Sequence, residues 1–572
     1  MQTASYASYA SYASLLIAMA ACATGGAGGV DGTSGASFGG YGRRDERVRL
    51  GSFTSVPAVA VSRRYVYAAG TSGLAVYDRV FNRWLPPLSP GDGPDGALFE
   101  QQITLLAGDP TEDALWIGAP GVVSVYRPDT EQLQRTMVVG VPDFIAFDRS
   151  GNGDVIVRSG GQFLRISRVG ITTPLSGAPA LSTLIVPKQL ADLYGQFPVL
   201  RTQPQIFLRN QLPDRALRPA TLLSGTASPD RSSELWLGTD GEGLFRFDPT
   251  FLEATALPYG LIDPGVGALA PAADGVWAAG LGVATQTLSP MNAGNRAGAR
   301  GGLSFVANDL QRFRWIDGTI NVPLVGVRSH ALATRGAKAW IGTDRGLVRM
   351  QLDGRNELRA WTTFDGLPDN RVLAVAPRDE GVWIGTPRGA VFVSDSVTGP
   401  SRGVGARWLD NVTVHALLSM GDTLWLGSEA GLVAVEHPMA AGTLLRPADG
   451  DPALRRPVRA LAWSDSVLLA ATDDAVLQIA PRGGRAAFRL DALDPRPVGA
   501  VTRVGVDART MWVAGADGVL FVSRHDGHAR LLRRGIEVSG PVLDVVAGES
   551  WWWLGTPQGL VRLRRTSDGL MP

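Results

Sequence analysis

The sequence predicts an all-β protein, and three observations lead to this class. A short motif, apolar–Trp–apolar–Gly–Thr followed by Gly-Leu, recurs along the chain. Apolar and polar residues alternate with a period of two beside it, as in segment 346–350, which is typical of strands. Successive copies follow one another at a nearly constant interval, which indicates one structural unit repeated many times.

The motif has eleven copies. The clear copies are Leu235–Thr239, Ala339–Thr343, Val382–Thr386, Leu424–Ser428 and Trp552–Thr556. Looser copies centre on Tyr67, Trp116, Ile156, Trp277, Leu468 and Trp512. The chain contains 71 glycines, which agrees with many short strands joined by tight turns.

The spacing of the copies selects the type of β fold. From Trp340 onward, successive copies are 43, 42, 43, 44 and 41 residues apart. This interval matches one four-stranded blade of a β-propeller, whose repeats span about 40–50 residues. About 11–12 blades exceed the roughly four to eight of one ring, so we expect two consecutive propellers. A single very large ring is the alternative.

The residue types of the motif suit a blade. The strand that carries it is nearly continuously apolar, as expected for a strand buried on both faces between neighbouring blades. The aromatic ring, as at Trp383, provides bulk for this packing. The Gly-Thr that follows ends the strand at a turn.

One part of the chain resembles a known repeat. The segment Thr363–Val372, TFDGLPDNRV, followed by Gly381–Thr386, GVWIGT, resembles the two-component regulator propeller repeat. That family forms the periplasmic sensor portion of many hybrid histidine kinases. The resemblance covers most of residues 48–572 and implies a β-propeller with a sensory binding role. For this chain we expect the propeller of that family and not its signalling output.

The N-terminus has the pattern of a targeting segment. Residues 15–22, LLIAMAAC, form an apolar run that ends in small residues and the only cysteine. The run is too short to span a bilayer, which takes about 20 residues, and it is typical of a secretory signal. Its end, Met19–Cys22, resembles the bacterial lipoprotein signal. We therefore expect a signal peptide over 1–22 with lipidation at Cys22; simple secretion is the alternative.

The rest of the chain divides by composition and repeat. Residues 23–47 are rich in Gly and Ser and are typical of a flexible tether. We expect a first propeller over 48–318 and a second over 319–572. The segment 46–53, ERVRLGSF, could supply a strand that closes one ring with the C-terminal strands, which would remove an exposed sheet edge.

Two intervals between motif copies exceed the repeat length. The excess near 181–200 could form a short helical excursion or conceal a degenerate blade. The excess near 286–301 is rich in Gly, Ala and Asn and is typical of a loop insertion. Long insertions of this kind protrude from a propeller face and carry function more often than short turns do.

Composition excludes several functions. A formal net charge of +1 argues against nucleic acid as a partner, because phosphate binding needs a basic surface. A single cysteine cannot form an internal disulfide or a cysteine-rich zinc site. The chain has no phosphate-binding glycine loop and no zinc-protease motif. We expect no cofactor and no metal.

Two arginines are the candidate ligand-binding residues. Arg345 and Arg388 each follow the Gly-Thr of neighbouring motif copies. If these turns lie on one face, the two guanidinium groups could converge on an anionic ligand. Solvated turn residues are the alternative, since arginines are commonly exposed.

Two further clusters are weak metal candidates. His525 and His528 flank Asp526 and Gly527, but Asp-Gly between two strand-like runs also predicts a simple hairpin turn. Asp148 begins a run with oxygens at alternate positions, as in a calcium loop, but it lacks the distal glutamate of such a loop. Turn formation explains both clusters better.

These observations lead to one main functional hypothesis and two alternatives. The main hypothesis is an extracytoplasmic, lipid-anchored propeller, at the periplasmic face or outer membrane, that binds a protein or a small-molecule or glycan ligand as a sensor or scaffold without catalysis. The first alternative is an extracytoplasmic lyase or hydrolase with its site on a propeller face. A scaffold for assembly or surface polymers is the other alternative.

Overall fold

The computed structural model describes residues 47–89, 103–150, 153–202, 221–231, 233–282, 301–317, 327–353, 357–395, 404–439, 443–445, 452–464, 467–479, 486–489, 494–566 and 570. These residues form eleven antiparallel sheets, ten of four strands and one of five. The all-β class and the four-stranded repeat predicted from the sequence are therefore confirmed.

The first residues described form strand β1 (Arg47–Leu50), which belongs to the last sheet. Sheet 1 contains β2 (Ala58–Val61), β3 (Tyr65–Gly70), β4 (Gly73–Asp78) and β5 (Arg83–Leu88). Sheet 2 contains β6 (Leu105–Gly108), β7 (Leu115–Ala119), β8 (Val122–Arg127) and β9 (Gln132–Met137). Sheet 3 contains β10 (Pro142–Asp148), β11 (Val155–Ser159), β12 (Gln162–Ile166), β13 (Thr172–Pro174) and β14 (Leu184–Ile185). Sheet 4 contains β15 (Thr221–Ala227), β16 (Leu235–Asp240), β17 (Leu244–Asp248) and β18 (Glu253–Leu257).

The later sheets follow the same plan. Sheet 5 contains β19 (Val266–Ala272), β20 (Gly275–Gly280), β21 (Gly302–Ala307) and β22 (Phe313–Asp317). Sheet 6 contains β23 (Ser329–Arg335), β24 (Lys338–Thr343), β25 (Gly346–Gln351) and β26 (Leu358–Trp361). Sheet 7 contains β27 (Ala374–Arg378), β28 (Gly381–Thr386), β29 (Gly389–Ser394) and β30 (Val404–Trp408). Sheet 8 contains β31 (Val414–Met420), β32 (Thr423–Ser428), β33 (Gly431–Glu436) and β34 (Thr443–Leu445).

The last three sheets complete the described part of the chain. Sheet 9 contains β35 (Ala460–Ser464), β36 (Val467–Ala471), β37 (Val476–Ile479) and β38 (Ala486–Arg489). Sheet 10 contains β39 (Val501–Val506), β40 (Thr510–Gly515), β41 (Gly518–Ser523) and β42 (Ala529–Arg533). Sheet 11 contains β43 (Asp544–Ala547), β44 (Trp551–Thr556), β45 (Gly559–Arg564) and β1.

Each copy of the sequence motif lies in the second strand of its own sheet. Its central residue is buried in all eleven sheets, from Tyr67 in β3 to Trp553 in β44, and is at most 9% exposed. Trp383 packs with residues of sheet 8, among them Leu417 and Leu424. Trp552 packs against Phe521 of sheet 10, with ring centroids 4.6 Å apart. The aromatic residues therefore fill the spaces between neighbouring sheets, as a propeller requires.

Seven of the sheets form a closed ring. The first strands β19, β23, β27, β31, β35, β39 and β43 are successive neighbours, and β43 is also a neighbour of β19. Sheets 5 to 11 thus surround a common axis, with the first strand of each sheet innermost. The other four sheets form an arc, because β2 contacts both β6 and β15, and β6 contacts β10.

These contacts bear on the division expected near residue 318. They connect sheet 5, which lies before that residue, to sheets 6 and 11. The two separate domains, 48–318 and 319–572, stay a prediction.

The ring is closed by strands from opposite ends of the described chain. Strand β1 pairs antiparallel with β45, with Val48 opposite Arg562 and Leu50 opposite Leu560. Leu50 is only 1% exposed. This confirms the closing strand expected within segment 46–53. Pairing the two ends removes the free edge that β45 would otherwise present.

The insertion near 181–200 is helical rather than a degenerate blade. It contains a 3₁₀ turn (Leu181–Thr183), helix α1 (Leu190–Gln196) and helix α2 (Val199–Thr202), besides β14. Helix α1 packs against β15. The insertion expected near 286–301 lies outside the described residues except for its last residue. Further 3₁₀ turns span Thr363–Asp365, Pro452–Arg455 and Arg496–Val498.

The arc and the ring share one hydrophobic cluster. Tyr259, after sheet 4, stacks against Trp84 of sheet 1 and Phe313 of sheet 5, with ring centroids 4.3 and 4.8 Å apart. Its hydroxyl donates to the carbonyl of Leu85 at 3.1 Å. Within the described ranges, no helix combines the length and the apolar character that a membrane crossing would need.

Candidate ligand-binding face

Arg345 and Arg388 lie in equivalent turns of neighbouring sheets, between the second and third strands. Thr343 closes the first turn: its hydroxyl donates to the carbonyl of Gly346 at 2.8 Å and accepts from the N–H of Arg345 at 3.1 Å. Thr386 makes the same two bonds in the second turn, at the same distances. Equivalent turns of neighbouring sheets lie at one end of a ring, so both exposed arginines are on the same face.

The loop between β26 and β27, residues 362–373, lies on this face. It begins with the 3₁₀ turn, which is capped at its start. The N–H of Phe364 donates to the Thr362 hydroxyl at 3.3 Å, and the N–H of Thr362 donates to the Asp365 carboxylate at 2.9 Å. This reciprocal cap satisfies backbone groups that the short turn would otherwise leave unpaired.

The rest of the loop is also fixed by hydrogen bonds. The N–H of Thr363 donates to the side-chain oxygen of Asn370 at 2.8 Å, which ties the start of the loop to its end. Arg407 of sheet 7 donates to the carbonyl of Gly366 at 3.0 Å. Phe364 nevertheless points into solvent and is 94% exposed. The loop therefore holds an aromatic ring outward on a backbone with little freedom.

Both candidate arginines border this loop. The turn of Arg345 abuts its start, because a Cβ on Gly346 would lie 2.1 Å from the carbonyl oxygen of Trp361. At the end of the loop, Asp369 faces Arg388 at 3.9 Å. Arg371 contacts Asp344, in the turn of Arg345, at 3.7 Å. We call Arg345, Phe364, Arg371 and Arg388 together the Phe364 face.

A histidine lies behind the Phe364 face. Nε2 of His330, at the start of β23, is 2.6 Å from the carboxylate of Asp344, and its side chain is 12% exposed. Burial lowers the pKa of His330 below its usual range, although the nearby Asp344 opposes this. The imidazole is therefore neutral at neutral pH, and Asp344 orients it by a hydrogen bond.

The same pairing recurs around the ring. In three sheets, a cationic or imidazole side chain on the first strand or just before it contacts an acid in the turn after the motif strand, 14 residues further along the chain. The pairs and their distances are His330–Asp344 at 2.6 Å, His415–Glu429 at 2.9 Å and Arg459–Asp473 at 3.3 Å. Polar pairs thus line the inner rim of the ring on this face.

The pairs on sheets 8 and 9 are joined into one network. Arg459 donates to Glu429 at 2.7 Å, and its Nη1 lies 2.9 Å from Nε2 of His415. The hydrogen bonds from His415 and Arg459 lower the pKa of Glu429 below its usual range. Glu429 is therefore ionised at neutral pH and holds both partners at the rim.

One arginine reaches across the ring. Arg503 of sheet 10 donates to the carboxylate of Asp544 in sheet 11 at 3.1 Å and to the carbonyl of His330 in sheet 6 at 2.8 Å. Sheets 10 and 6 are separated by two sheets around the ring. Arg503 therefore links sheets 6, 10 and 11 at this end of the ring.

The structure places the weak metal candidates elsewhere. His525 and His528 are exposed in the hairpin between β41 and β42, where Gly527 has a φ of 73° and the N–H of His528 donates to Asp526 at 3.1 Å. This is the turn geometry that Asp-Gly favours. The pair lies between the third and fourth strands of its sheet, whereas Arg345 and Arg388 lie between the second and third strands of theirs. Because these two turns are at opposite ends of a sheet, the histidines lie on the other face from the Phe364 face.

Asp148 has a similar local role. It accepts from the N–H of Ser150 at 2.9 Å and contacts Arg165 at 3.2 Å. The backbone hydrogen bond from Ser150 lowers the pKa of Asp148 below its usual range. Across the described ranges, no group of three or more His, Cys, Asp or Glu side chains is arranged to hold a metal ion. Cys22 lies outside those ranges.

Two features of this face were missed in the sequence. The 14-residue pairing is visible as His or Arg followed by Asp or Glu at that interval, but its meaning depends on the bulge in the first strand. The register shift between Ser329 and Ala331 marks this bulge, and His330 occupies it. Phe364 belongs to a segment already singled out, yet nothing local predicts that its ring faces solvent.

The fold thus defines the class: an all-β repeat protein of eleven antiparallel sheets, seven of which surround a common axis. Among solved structures, it is similar to PorZ, a surface component of the type-IX secretion system of Porphyromonas gingivalis, with 13% identity over 89% of this chain and 68% of that chain and a TM-score of 0.41. It is also similar to the extracellular domain of the hybrid two-component system BT4673 from B. thetaiotaomicron, with 12% identity, 89% and 69% coverage and a TM-score of 0.39. The corresponding domain of BT3049 has 13% identity, 87% and 60% coverage and a TM-score of 0.26.

Other comparisons find no relative. No protein-family model matches the chain, and no curated protein matches it. The resemblance to the two-component regulator propeller repeat therefore rests on the motifs quoted from the sequence.

Proposed function

We propose that this protein is an extracytoplasmic, lipid-anchored β-propeller that binds a ligand or protein partner as a sensor or scaffold and performs no catalysis. The observation that supports it most directly is the Phe364 face. Two equivalent turns present Arg345 and Arg388 beside one ordered loop, and exposed guanidinium groups on rigid turns suit recognition of carboxylate or phosphate groups.

The location rests on the sequence. The apolar run before Cys22 and the Gly/Ser-rich tether after it would anchor the protein to a membrane and let the sheets extend from its surface. Radiolabelled fatty acid should label the natural chain and leave Cys22→Ala unlabelled. Equal labelling of both would remove the anchor from the proposal.

The binding role is tested by thermal unfolding of the full chain with a panel of acidic and neutral oligosaccharides, amino acids and short peptides. A compound that binds only the folded state raises the midpoint by mass action. We expect the shift to be lost in Arg345→Ala/Arg388→Ala and kept in the matched control Arg530→Ala, whose side chain is exposed in β42. Shifts that persist in the double variant would exclude this face as the site.

One observation favours the alternative, a lyase or hydrolase with its site on a propeller face. His330 is oriented by Asp344 at 2.6 Å and is neutral, as a general base must be. Chemical conversion of a panel compound by the natural chain, lost in His330→Gln, would establish this alternative. Binding of the same compounds without any conversion would favour the sensor or scaffold role.

A further inference from the structure

The exposed ring of Phe364 stands on a turn whose backbone is held by hydrogen bonds. Apolar side chains scattered on a surface need no explanation, but this ring is 94% exposed on a turn held by the Thr362 cap and by Asn370. Because the backbone of this turn is already held, covering the ring costs little backbone conformational entropy. Aromatic residues of this kind commonly provide much of the energy of protein interfaces.

Around the Phe364 side chain, the acidic groups are more engaged in hydrogen bonds within the fold than the guanidinium groups are. The aspartates already accept hydrogen bonds within the fold: Asp365 from Thr362, at 2.9 Å, and Asp369 from the N–H of Arg371, at 2.8 Å. The guanidinium groups of Arg371 and Arg388 lie 3.7 and 3.9 Å from Asp344 and Asp369, beyond hydrogen-bond distance, and the two side chains are 57% and 68% exposed. A partner at this surface therefore meets cationic groups around an apolar centre.

We propose that the Phe364 face docks an acidic polypeptide segment that carries large apolar side chains. The aromatic side chain of Phe364 protrudes from the surface, whereas small-molecule sites are concave and bury most of their ligand. A polypeptide can surround the ring with several apolar side chains and place carboxylates against Arg345 and Arg388, which bind carboxylates through two parallel hydrogen bonds. This inference rests on the proposed binding role and specifies its partner.

The inference is tested with a display library of random 12-residue peptides selected against the immobilised full chain. We expect enrichment of peptides that combine Asp or Glu with Leu, Ile, Phe or Trp. Their affinity should fall by about tenfold or more in Phe364→Ala and in Arg345→Ala/Arg388→Ala, and it should weaken as salt concentration rises.

The control is Phe251→Ala, because Phe251 is 78% exposed in the hairpin between β17 and β18 of sheet 4. It should leave peptide affinity unchanged, and unchanged unfolding midpoints would establish that every variant is folded. The inference would be overturned if no peptide were enriched or if basic peptides were enriched. It would also be overturned if Phe364→Ala left the peptide affinity unchanged. The binding role would survive those results if a panel compound still required Arg345 and Arg388, so the two failures can be told apart.

Discussion

Trp383 explains why the motif is built around an aromatic residue. Its side chain is fully buried and packs with sheet 8, so one indole ring fills the space between two sheets. The indole N–H has no hydrogen-bond partner among the described residues, so its contribution is packing rather than polar contact. Repeating this contact from sheet to sheet is what stabilises the ring.

Replacing this indole should therefore weaken the fold. Trp383→Ala should lower the free energy of unfolding by about 3–5 kcal/mol, because the substitution leaves a cavity between sheets 7 and 8. Urea unfolding of the full chain measures the change. The control is Phe364→Ala, which removes an exposed ring and should change the midpoint little. Equal effects of the two substitutions would contradict the packing role.

His330 should make stability depend on pH. Burial lowers its pKa below the usual 6.5, so the folded state binds the proton less tightly than the unfolded state. Its contribution to stability is complete above pH 6.5 and is lost as the pH falls through 6.5 toward the lower pKa of the folded state. The difference in free energy of unfolding between the natural chain and His330→Gln should therefore shrink between about pH 7 and pH 5. A difference that grows as the pH falls would contradict the burial of this side chain.

The turn after the motif strand is the element that positions the candidate site. The buried hydroxyl of Thr386 makes two hydrogen bonds within the turn. Gly389 follows with a φ of 112°, and a Cβ there would lie 2.8 Å from the carbonyl oxygen of Leu409. The turn itself therefore requires both the threonine and the glycine that follows it three residues later.

The turn can be tested by changing only the hydroxyl. Thr386→Val keeps the shape but leaves two backbone groups without their partner, which should cost about 1–3 kcal/mol. Thr386→Ser retains the hydroxyl and loses only one buried methyl group, which should cost about 0.8 kcal/mol. Both are measured by chemical unfolding. A valine variant as stable as the serine variant would mean that the hydroxyl does not close the turn.

The elements differ in how far the sequence predicts them. The motif strands could be predicted because burial on both faces requires a continuous apolar run around residues such as Trp340. The position of Arg345 and Arg388 on one face also follows from equal turns. The pair of His330 and Asp344 could not be predicted, because it needs a bulge at His330 and a register that only the paired strands fix. The exposure of Phe364 depends in the same way on a cap and on distant Arg407.

The last sheet joins strands from the two ends of the described residues. Strand β1 lies before sheet 1 in the chain but completes sheet 11, so the sheet order along the chain is not the order in space. A repeat seen in sequence gives the number of units, whereas the contacts among β19, β23 and β43 decide which units share a ring.

Closure should contribute measurably to stability. Val48 is 3% exposed, so Val48→Asp buries a carboxylate in the closing sheet and should lower the unfolding midpoint strongly. Arg49→Asp changes the neighbouring, half-buried position and should have a much smaller effect. Thermal unfolding of both variants measures the difference. Similar midpoints for the two would mean that β1 does not close the ring.

We propose that the Phe364 face is where this protein binds its partner. The most direct measurement is the dissociation constant of the tightest panel compound or selected peptide, compared by calorimetry between the natural chain and Arg345→Ala/Arg388→Ala. We predict binding at least about tenfold weaker in the double variant, with an unchanged unfolding midpoint. An unchanged dissociation constant would contradict the claim and place the binding site elsewhere on the molecule.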